Sequence, residues 1–210
     1  MKDIPMFTTE HGVAGLTLQE IPYNKKAFIT IHDTRELQKL LQECVDFCKA
    51  VGAEAVYACG HEGLIAYPVY TQIVEMECMT KDLPHTRAEA LPAKDIECFT
   101  VLYNQKMANV PASAYLSRRQ AQKLAEQGSC RFIYRDEECI GLGVTEKGAL
   151  LAVASFVPGG GKDAVVALCR ALNTDWVRLE VAVENQKAMT LYEKLGFVVS
   201  GRKNTWYKIF

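Results

Sequence analysis

The architecture follows from one segment, Arg178-Leu-Glu-Val-Ala-Val-Glu-Asn-Gln-Lys-Ala-Met-Thr-Leu-Tyr-Glu-Lys-Leu-Gly-Phe197. Around its first half, apolar side chains occupy every second position: Val177, Leu179, Val181 and Val183. A period of two predicts a β-strand. After Asn185, which can cap a helix with its side-chain oxygen, apolar residues recur at helical spacing up to Leu195. Gly196 can then end the helix in a left-handed conformation, so the segment predicts a strand that leads directly into a short helix.

This strand and helix resemble the second half of the GNAT acyl-CoA N-acetyltransferase fold. Eight residues match the family pattern in register: Asn185, Ala188, Leu191, Tyr192, Glu193, Leu195, Gly196 and Phe197. The resemblance implies an α/β protein with a mixed sheet. It places a GNAT domain at residues 96–210, after a linker at 81–95 that contains Pro84 and Pro92. Residues 1–80 then form a smaller α/β lobe.

The composition narrows the class of protein and its location. The chain has 210 residues and a formal net charge of −1, from 24 basic and 25 acidic residues, so nothing favours binding to nucleic acid or to an anionic membrane. The N-terminus lacks the apolar core of a signal peptide, and the longest apolar run, Ala149–Val157, is too short to span a bilayer. We therefore expect a cytoplasmic protein, as a monomer or homodimer.

The eight cysteines and four histidines do not indicate a metal site. The sequence contains no Cys-x-x-Cys, and its histidines do not accompany cysteines at ligand spacing. Cys44 and Cys48 share a helical face with apolar residues and are expected to be small core residues. The sequence therefore predicts no metal and is consistent with a reducing compartment.

The N-terminal lobe has the pattern of a strand–helix–strand unit. Strands are expected at Ala27–Ile31, at Ala55–Cys59 and at Tyr70–Met79, with a helix that starts at a capping box of Asp33 and Glu36 and ends near Val51. The order predicts a parallel crossover. Residues 47–58 also resemble residues 168–179, which is weak evidence that the lobe is a partial GNAT-like repeat. No chemistry is assigned to it.

The C-terminal part shows alternating strands and helices. The patterns predict, in order, a strand at Ile96–Leu102, a helix at Tyr115–Gln127, a hairpin of Arg131–Arg135 with Cys139–Val144, a buried strand at Ala149–Val157, a helix at Lys162–Leu172 and a last strand near Thr205–Ile209.

A glycine-rich segment, Pro158-Gly-Gly-Gly161, joins the buried strand to the following helix. Free amide groups at a helix N-terminus bind anions, and Lys162 adds positive charge. The resemblance implies that this segment binds the pyrophosphate of acetyl-CoA, through these residues: Gly159, Gly160, Gly161, Lys162 and Ala164. It also implies that the strand backbone around Val153, Ala154 and Ser155 pairs with the pantetheine arm.

Two other interpretations of the glycine segment remain. Gly159-x-Gly161-x-x-Ala164 also matches a dinucleotide-binding fingerprint, with Glu180 as the residue that would contact a ribose. The segment could alternatively be a tight turn that needs glycine for its geometry alone. The chain also departs from the GNAT pattern, because Phe156 or Gly159 occupies the position of the family's leading Arg or Gln.

The resemblance further implies two catalytic residues. Tyr192 is the expected general acid, since a phenol stays protonated at neutral pH and can donate to a departing thiolate. Glu180 is the expected general base. In related N-terminal acetyltransferases of ribosomal proteins, a Leu-Glu-Val strand carries a Glu twelve positions before the Tyr, and Leu179-Glu180-Val181 with Tyr192 has the same interval. Glu184 is the reserve, and Asn185 is expected on the cofactor side.

Each of these assignments has a structural alternative. Tyr192 could pack its ring in the core, Glu180 could pair with Arg178 or Lys187, and Asn185 could serve only as a helix cap. The leading functional hypothesis is transfer of an acetyl group from acetyl-CoA to a primary amine, on a small molecule or a peptide N-terminus, by direct attack in a ternary complex. The alternatives are a catalytically silent GNAT-like module that binds acyl-CoA or a partner and, less favoured, a dinucleotide-binding protein. The sequence does not specify the acceptor.

Overall fold

The computed structural model describes residues 5–210. These residues form two compact units. Unit 1 contains the described residues up to Gln72 together with Lys203–Phe210, and unit 2 contains Ile73–Arg202. None of the helices among residues 5–210 is long and apolar enough to cross a membrane.

The chain contains strands throughout, with helices between them. The strands are β1 (Met6–Thr9), β2 (Gly12–Thr17), β3 (Lys26–Thr34), β4 (Ala55–Cys59), β5 (Val69–Met79), β6 (Glu89–Pro92), β7 (Cys130–Arg135), β8 (Glu138–Glu146), β9 (Ala149–Ser155), β10 (Trp176–Ala182) and β11 (Val198–Lys208). The helices are α1 (Ile21–Asn24), α2 (Leu37–Ala50), α3 (Ile96–Met107), α4 (Arg118–Glu126), α5 (Gly161–Ala171) and α6 (Gln186–Lys194). Short 3-10 segments occur at Glu62–Ala66 and Thr80–Asp82.

Unit 1 is built on the strand order β1-β2-β3-β4, and Tyr207 and Lys208 of β11 pair with β4. β3 and β4 are parallel and are connected by α2, which confirms the predicted crossover. Every residue of β4 pairs with β3, from Lys26 opposite Ala55 to Thr30 opposite Cys59. The apolar face of α2 lies in the core of this unit, and its cysteines are among the buried residues: Leu40, Leu41, Cys44, Val45 and Cys48.

The start of α2 differs from the sequence-based expectation. A capping box of Asp33 and Glu36 was expected, but β3 extends to Thr34 and α2 begins only at Leu37. The strand continues because Asp33 and Thr34 still pair with β2. Glu36 occupies the cap position without a side-chain hydrogen bond to the helix.

Unit 2 contains a mixed sheet with the strand order β6-β7-β8-β9-β10-β5. All neighbours in this order are antiparallel except β9 and β10, which are parallel and are connected by α5. The mixed sheet confirms the predicted α/β class. It is not the doubly wound parallel sheet that the dinucleotide-binding interpretation requires.

Helices cover both faces of this sheet. α5 and α6 pack on one face in a core that includes Leu168, Leu179 and Phe197. A second core, with Phe99 of α3 and Ala121 of α4, lies on the other face. Consecutive residues of β9 contact different cores, Val153 the first and Ala154 the second, as expected for side chains that alternate along a strand.

The segment Ile96–Leu102 was expected to be a strand, and this prediction is wrong because the segment begins α3. The Asp95 carboxylate accepts a hydrogen bond from the backbone N–H of Cys98 at 2.9 Å and caps the helix. Phe99, Tyr103 and Met107 then recur at helical spacing and are buried. Their burial against the sheet outweighs the strand-like pattern of apolar residues.

The compact units also differ from the lobe boundaries expected at residues 80 and 96. The expected linker at 81–95 includes β6, which pairs with β7. Residues Ile73–Met79 of β5 pair with β10 within unit 2. The predicted repeat gains support from the strand order, since β1-β2-β3-α2-β4 and β7-β8-β9-α5-β10 both contain two antiparallel pairs followed by a parallel crossover.

Candidate functional site

The parallel strands β9 and β10 of unit 2 separate after a short paired region. Only two residue pairs join them, Arg178 with Ala149 and Leu179 with Leu150. Beyond these pairs β9 stays bonded to β8 as far as Ser155, and β10 stays bonded to β5 as far as Ala182. The two strands therefore diverge, and residues 151–155 of β9 have no pairing partner on β10. The backbone groups of this part of β9 that point away from β8 are left without a strand partner on that side.

A β-bulge marks the point of divergence. On β8, Val144 pairs with Ala152 and Thr145 pairs with Leu150, so Leu151 is the extra residue of β9. Its side chain is 52% exposed. A bulge bends its strand and interrupts the ladder, which is consistent with a strand that leaves its neighbour here. Sequence reasoning missed Leu151 because the apolar run Ala149–Val157 gives no local signal for an extra residue.

The glycine segment is held to the end of β9 by Ser155. The Ser155 Oγ lies 2.8 Å from the Val157 carbonyl oxygen and 3.2 Å from the Ile140 carbonyl oxygen. A Cβ at Gly160 would lie only 2.6 Å from this Oγ, so the turn has no room for a larger residue. Gly159 has a φ of 76°, in the left-handed region that favours glycine. The geometry of the turn therefore requires glycine at both position 159 and position 160.

The first turn of α5 presents its amide groups at this turn. The helix begins at Gly161, and its first helical hydrogen bond runs from the Ala164 N–H to the Gly160 carbonyl at 2.9 Å. The amides of Gly161, Lys162 and Asp163 precede that bond and have the orientation that binds anions. Ala164 itself is fully buried in the core, so any contact it makes to a ligand is through its backbone.

Asp163 brings a negative charge to the same turn, and two side chains compensate for it. Its carboxylate accepts a hydrogen bond from Thr86 Oγ1 at 2.7 Å and forms an ion pair with Arg135 Nη1 at 2.8 Å. The hydrogen bond from Thr86, followed by the interactions with Arg135 and Lys162, holds the pKa of Asp163 below its usual value.

An open pocket of about 620 Å³ lies beside the first turn of α5. It is lined by residues of α5, of α6 and of the connection after β5: Asp82, Pro84, Lys162, Leu191, Lys194, Leu195 and Gly196. Its charged lining residues are two lysines and one aspartate, and its apolar lining includes two leucines. A Cβ at Gly161 would lie 3.2 Å from Leu191 Cδ2, so α6 packs directly against the glycine segment.

Tyr192, the expected general acid, is on this helix. Its side chain is 8% exposed and belongs to the core between the sheet and α5 and α6, with its ring centroid 5.7 Å from that of Phe197. Burial, and to a lesser extent the neighbouring Cys169, raises the pKa of Tyr192 to about 12. The phenol is therefore fully protonated at neutral pH.

Glu180, the expected general base, is exposed on the face of β10 opposite the α5–α6 core. It lies across from Glu75 of β5, and Arg178 lies across from Glu77. Glu180 takes part in none of the ion pairs formed by residues 5–210, so the alternative role, an ion pair with Arg178, Lys187 or another basic side chain, is not observed among these residues.

Asn185 caps α6, because its Oδ1 accepts a hydrogen bond from the Ala188 N–H at 3.3 Å. The neighbouring Glu184 is exposed. The end of β9, the glycine segment and α6 are thus in mutual contact, through Ser155 and Val157 on one side and Gly161 and Leu191 on the other.

The comparisons with solved structures identify the fold. The structure is similar to a GCN5-related N-acetyltransferase from Kribbella flavida, with a TM-score of 0.59, 15% identity and coverage of 98% of this chain and 89% of the other. A GCN5-related N-acetyltransferase from Sphaerobacter thermophilus gives a TM-score of 0.58, 13% identity and coverage of 93% and 75%. A tandem GNAT protein from the clavulanic acid biosynthesis pathway gives a TM-score of 0.57 and 9% identity, with coverage of 94% of this chain and 78% of the other.

These structures show that the chain has the GNAT fold, as its sequence predicted. No protein-family model matches the sequence, and no curated protein matches it.

Proposed function

We propose that this chain is an N-acetyltransferase that moves an acetyl group from acetyl-CoA to a primary amine by direct attack in a ternary complex. The observation that carries the proposal is the divergence of β9 and β10 beside the glycine segment. This region combines unpaired strand backbone with a helix N-terminus whose amides can bind an anion. Such a combination suits a long ligand that carries amide groups along one part and phosphates at the other.

The residues present fit acetyl-CoA. The backbone N–H and C=O groups of Val153 and Ser155 point away from β8 and would hold the amides of the pantetheine arm, whereas those of Ala154 pair with Leu142 of β8. The amides at Gly161 and Lys162, with the open space beside Gly159, would hold the diphosphate. Lys194 lies in the adjoining pocket and adds a second positive charge for the nucleotide end. When bound, acetyl-CoA supplies an activated acetyl thioester.

Two side chains would move protons. The Glu180 carboxylate accepts a proton from the ammonium group of the acceptor, which frees the lone pair of the nitrogen for attack. The Tyr192 hydroxyl would donate a proton to the departing sulfur. Burial raises its pKa to about 12, which keeps the hydroxyl protonated at neutral pH but makes it a weaker acid than an exposed phenol. Backbone N–H groups of β9 near the bulge would stabilise the negative charge that develops on the carbonyl oxygen.

A second function is favoured by the burial of Tyr192. With only 8% of its side chain exposed, the phenol is packed as a core residue, and a chain with this arrangement could bind acyl-CoA without transferring the acyl group. The two functions share the cofactor site and differ in turnover. A cytoplasmic location, a small amine or a peptide N-terminus as acceptor, and a monomeric or homodimeric state are part of the same proposal.

Ligand-dependent unfolding tests the cofactor assignment. CoA at 100 times its dissociation constant stabilises a protein that binds it by about 2.7 kcal/mol, and this appears as a higher Tm. NAD at the same concentration should have no effect. Production of acetylated amine, followed by mass spectrometry over a panel of primary amines, then separates the transferase from the binding module. A Tm that does not respond to CoA would contradict both.

Gly160→Ala is expected to weaken CoA binding about tenfold, equivalent to the loss of one hydrogen bond to a charged group. The added Cβ would meet Ser155 Oγ at 2.6 Å and Val157 Cγ2 at 2.7 Å, so the turn must shift. Isothermal titration with CoA measures the effect. Gly161→Ala is the matched control, because its Cβ meets only the flexible Leu191 side chain, at 3.2 Å. If Gly160→Ala and Gly161→Ala bind CoA with equal affinity, the close packing of the turn at Gly160 does not contribute to CoA binding.

Glu180→Gln is expected to lower kcat/KM for the amine about tenfold and to leave the Kd for CoA unchanged. The effect lies below the ~100-fold typical of general bases because this carboxylate is exposed, and water can partly replace it. Steady-state kinetics at pH 7 give the value. Glu77→Gln is the control. Glu77 lies on β5 opposite Arg178, on the same face of the sheet as Glu180. If both variants keep wild-type kinetics, Glu180 is not the base.

A further inference from the structure

A side-chain cluster at the first turn of α5 joins three separate segments of unit 2. The Asp163 carboxylate contacts Thr86 Oγ1 at 2.7 Å and Arg135 Nη1 at 2.8 Å. Thr86 belongs to the connection between β5 and β6, and its Oγ1 also accepts the Ala88 N–H at 3.0 Å. Arg135 is the last residue of β7. Both oxygens of the carboxylate are thus engaged, and the end of β7 is fixed to the start of α5.

The guanidinium of Arg135 retains donors beyond this ion pair. Its Nη1 contacts Asp163, whereas no residue among 5–210 accepts a hydrogen bond from its Nη2 or Nε. The side chain is 36% exposed, compared with 24% for Asp163. A guanidinium carries five N–H groups in a rigid planar arrangement that matches phosphate oxygens. Arg135 is therefore both oriented by one partner and open to a second.

The charge at this turn is positive overall. Asp163 contributes one negative charge, and Lys162 and Arg135 contribute two positive charges. The N-terminus of α5 adds a partial positive charge. A carboxylate at the third position of a helix would by itself repel an anion at the free amides. The positive charge of Arg135 offsets the carboxylate of Asp163, so the charge of Lys162 and the helix N-terminus remains to attract an anion.

We propose that Arg135 is a further ligand-binding residue, whose free guanidinium N–H groups bind a phosphate oxygen of the diphosphate at the first turn of α5. Asp163 and Thr86 are positioning residues that hold the guanidinium there. The inference rests on the proposed function, because it concerns the same cofactor site. It assigns a direct contact to a side chain on β7, outside the glycine segment and its helix.

The test is a double-mutant cycle. The Kd for CoA is measured by isothermal titration for the wild type, Arg135→Gln, Asp163→Asn and the double variant. As a single substitution, Arg135→Gln is expected to raise the Kd for CoA about tenfold, the size of effect that follows from the loss of a charge-assisted hydrogen bond. In the Asp163→Asn background it is expected to raise the Kd by a smaller factor, severalfold, because the guanidinium has lost its positioning partner but still reaches the phosphate. Inorganic pyrophosphate, used as a competitor of CoA, should lose affinity in the same way.

Two outcomes would overturn the inference. If Arg135→Gln has no effect in the Asp163→Asn background, Arg135 acts only by neutralising Asp163. If the competition by pyrophosphate is unchanged while CoA binding weakens, the contact is not with phosphate. Arg135→Lys, which keeps the charge and loses the planar donor array, is expected to fall between the wild type and Arg135→Gln. Denaturant unfolding of each variant verifies the fold. A wild-type protein that does not bind CoA would instead refute the proposed function itself.

Discussion

Replacing Tyr192 with phenylalanine is expected to lower kcat for acetyl transfer about 100-fold, the lower end of what a general acid contributes. Phenylalanine keeps the ring that packs near Phe197 and removes only the hydroxyl. The loss should therefore appear in turnover and not in the fold. Steady-state kinetics with saturating acetyl-CoA and amine give kcat, and isothermal titration with CoA should give an unchanged Kd. Tyr207→Phe, in unit 1, is the matched control.

The pH dependence gives a second measure of the same residue. Burial raises the pKa of Tyr192 to about 12, so its ionisation should not reduce kcat below about pH 10. A raised pKa means that the folded state disfavours the phenolate. The stability that protonated Tyr192 contributes is complete below its ordinary pKa of about 10 and is lost as the pH rises toward 12. Tyr192→Phe should thus unfold less readily than the wild type in this range. Wild-type turnover in the variant from pH 7 to 9 would remove Tyr192 from the mechanism.

A fragment of residues 81–202 is expected not to fold, whereas a fragment of residues 73–202 is expected to unfold cooperatively. The difference is the part of β5 that pairs with all seven residues of β10. This part buries Val74, Met76 and Cys78 in the α5–α6 core. Burial of three such side chains contributes about 5–9 kcal/mol, which is comparable to the total stability of a typical domain, about 5–15 kcal/mol.

Circular dichroism during urea denaturation distinguishes the two fragments. The shorter one should show no cooperative transition, and the longer one should show a single transition. A cooperative transition in both would mean that β10 is stable with only its two pairs to β9. It would also restore the domain boundary that the proline-containing segment at 81–95 suggests.

Local signals in the sequence were sufficient for α6. Asn185 caps the helix, as its amide side chain predicted, and Gly196 has the left-handed φ of 90° expected after the helix end. Both features depend on a few neighbouring residues, so they can be read without knowledge of the fold. The motif they frame was also enough to predict the GNAT fold that the structural comparisons show.

Long-range features were not accessible in the same way. The position of β5 beside β10 joins residues about 100 positions apart, and no periodicity encodes which strands become neighbours. The bulge at Leu151 depends on the register between β8 and β9. The helix at Ile96–Met107 depends on burial against the sheet. The predicted roles of Tyr192 and Glu180 stay predictions, because they require a bound substrate.

The pairing of β3 with β4 has a consequence for how much ligand the chain can hold. In unit 1 the parallel strands are joined along the whole of β4, so β4 has no unpaired backbone toward β3 that could hold a pantetheine arm in the way proposed for β9. If the diverging strands of unit 2 are the cofactor site, the stoichiometry is one acyl-CoA per polypeptide, despite the repeated strand order. Saturation curves for a monomer should then be hyperbolic, with a Hill coefficient of about one.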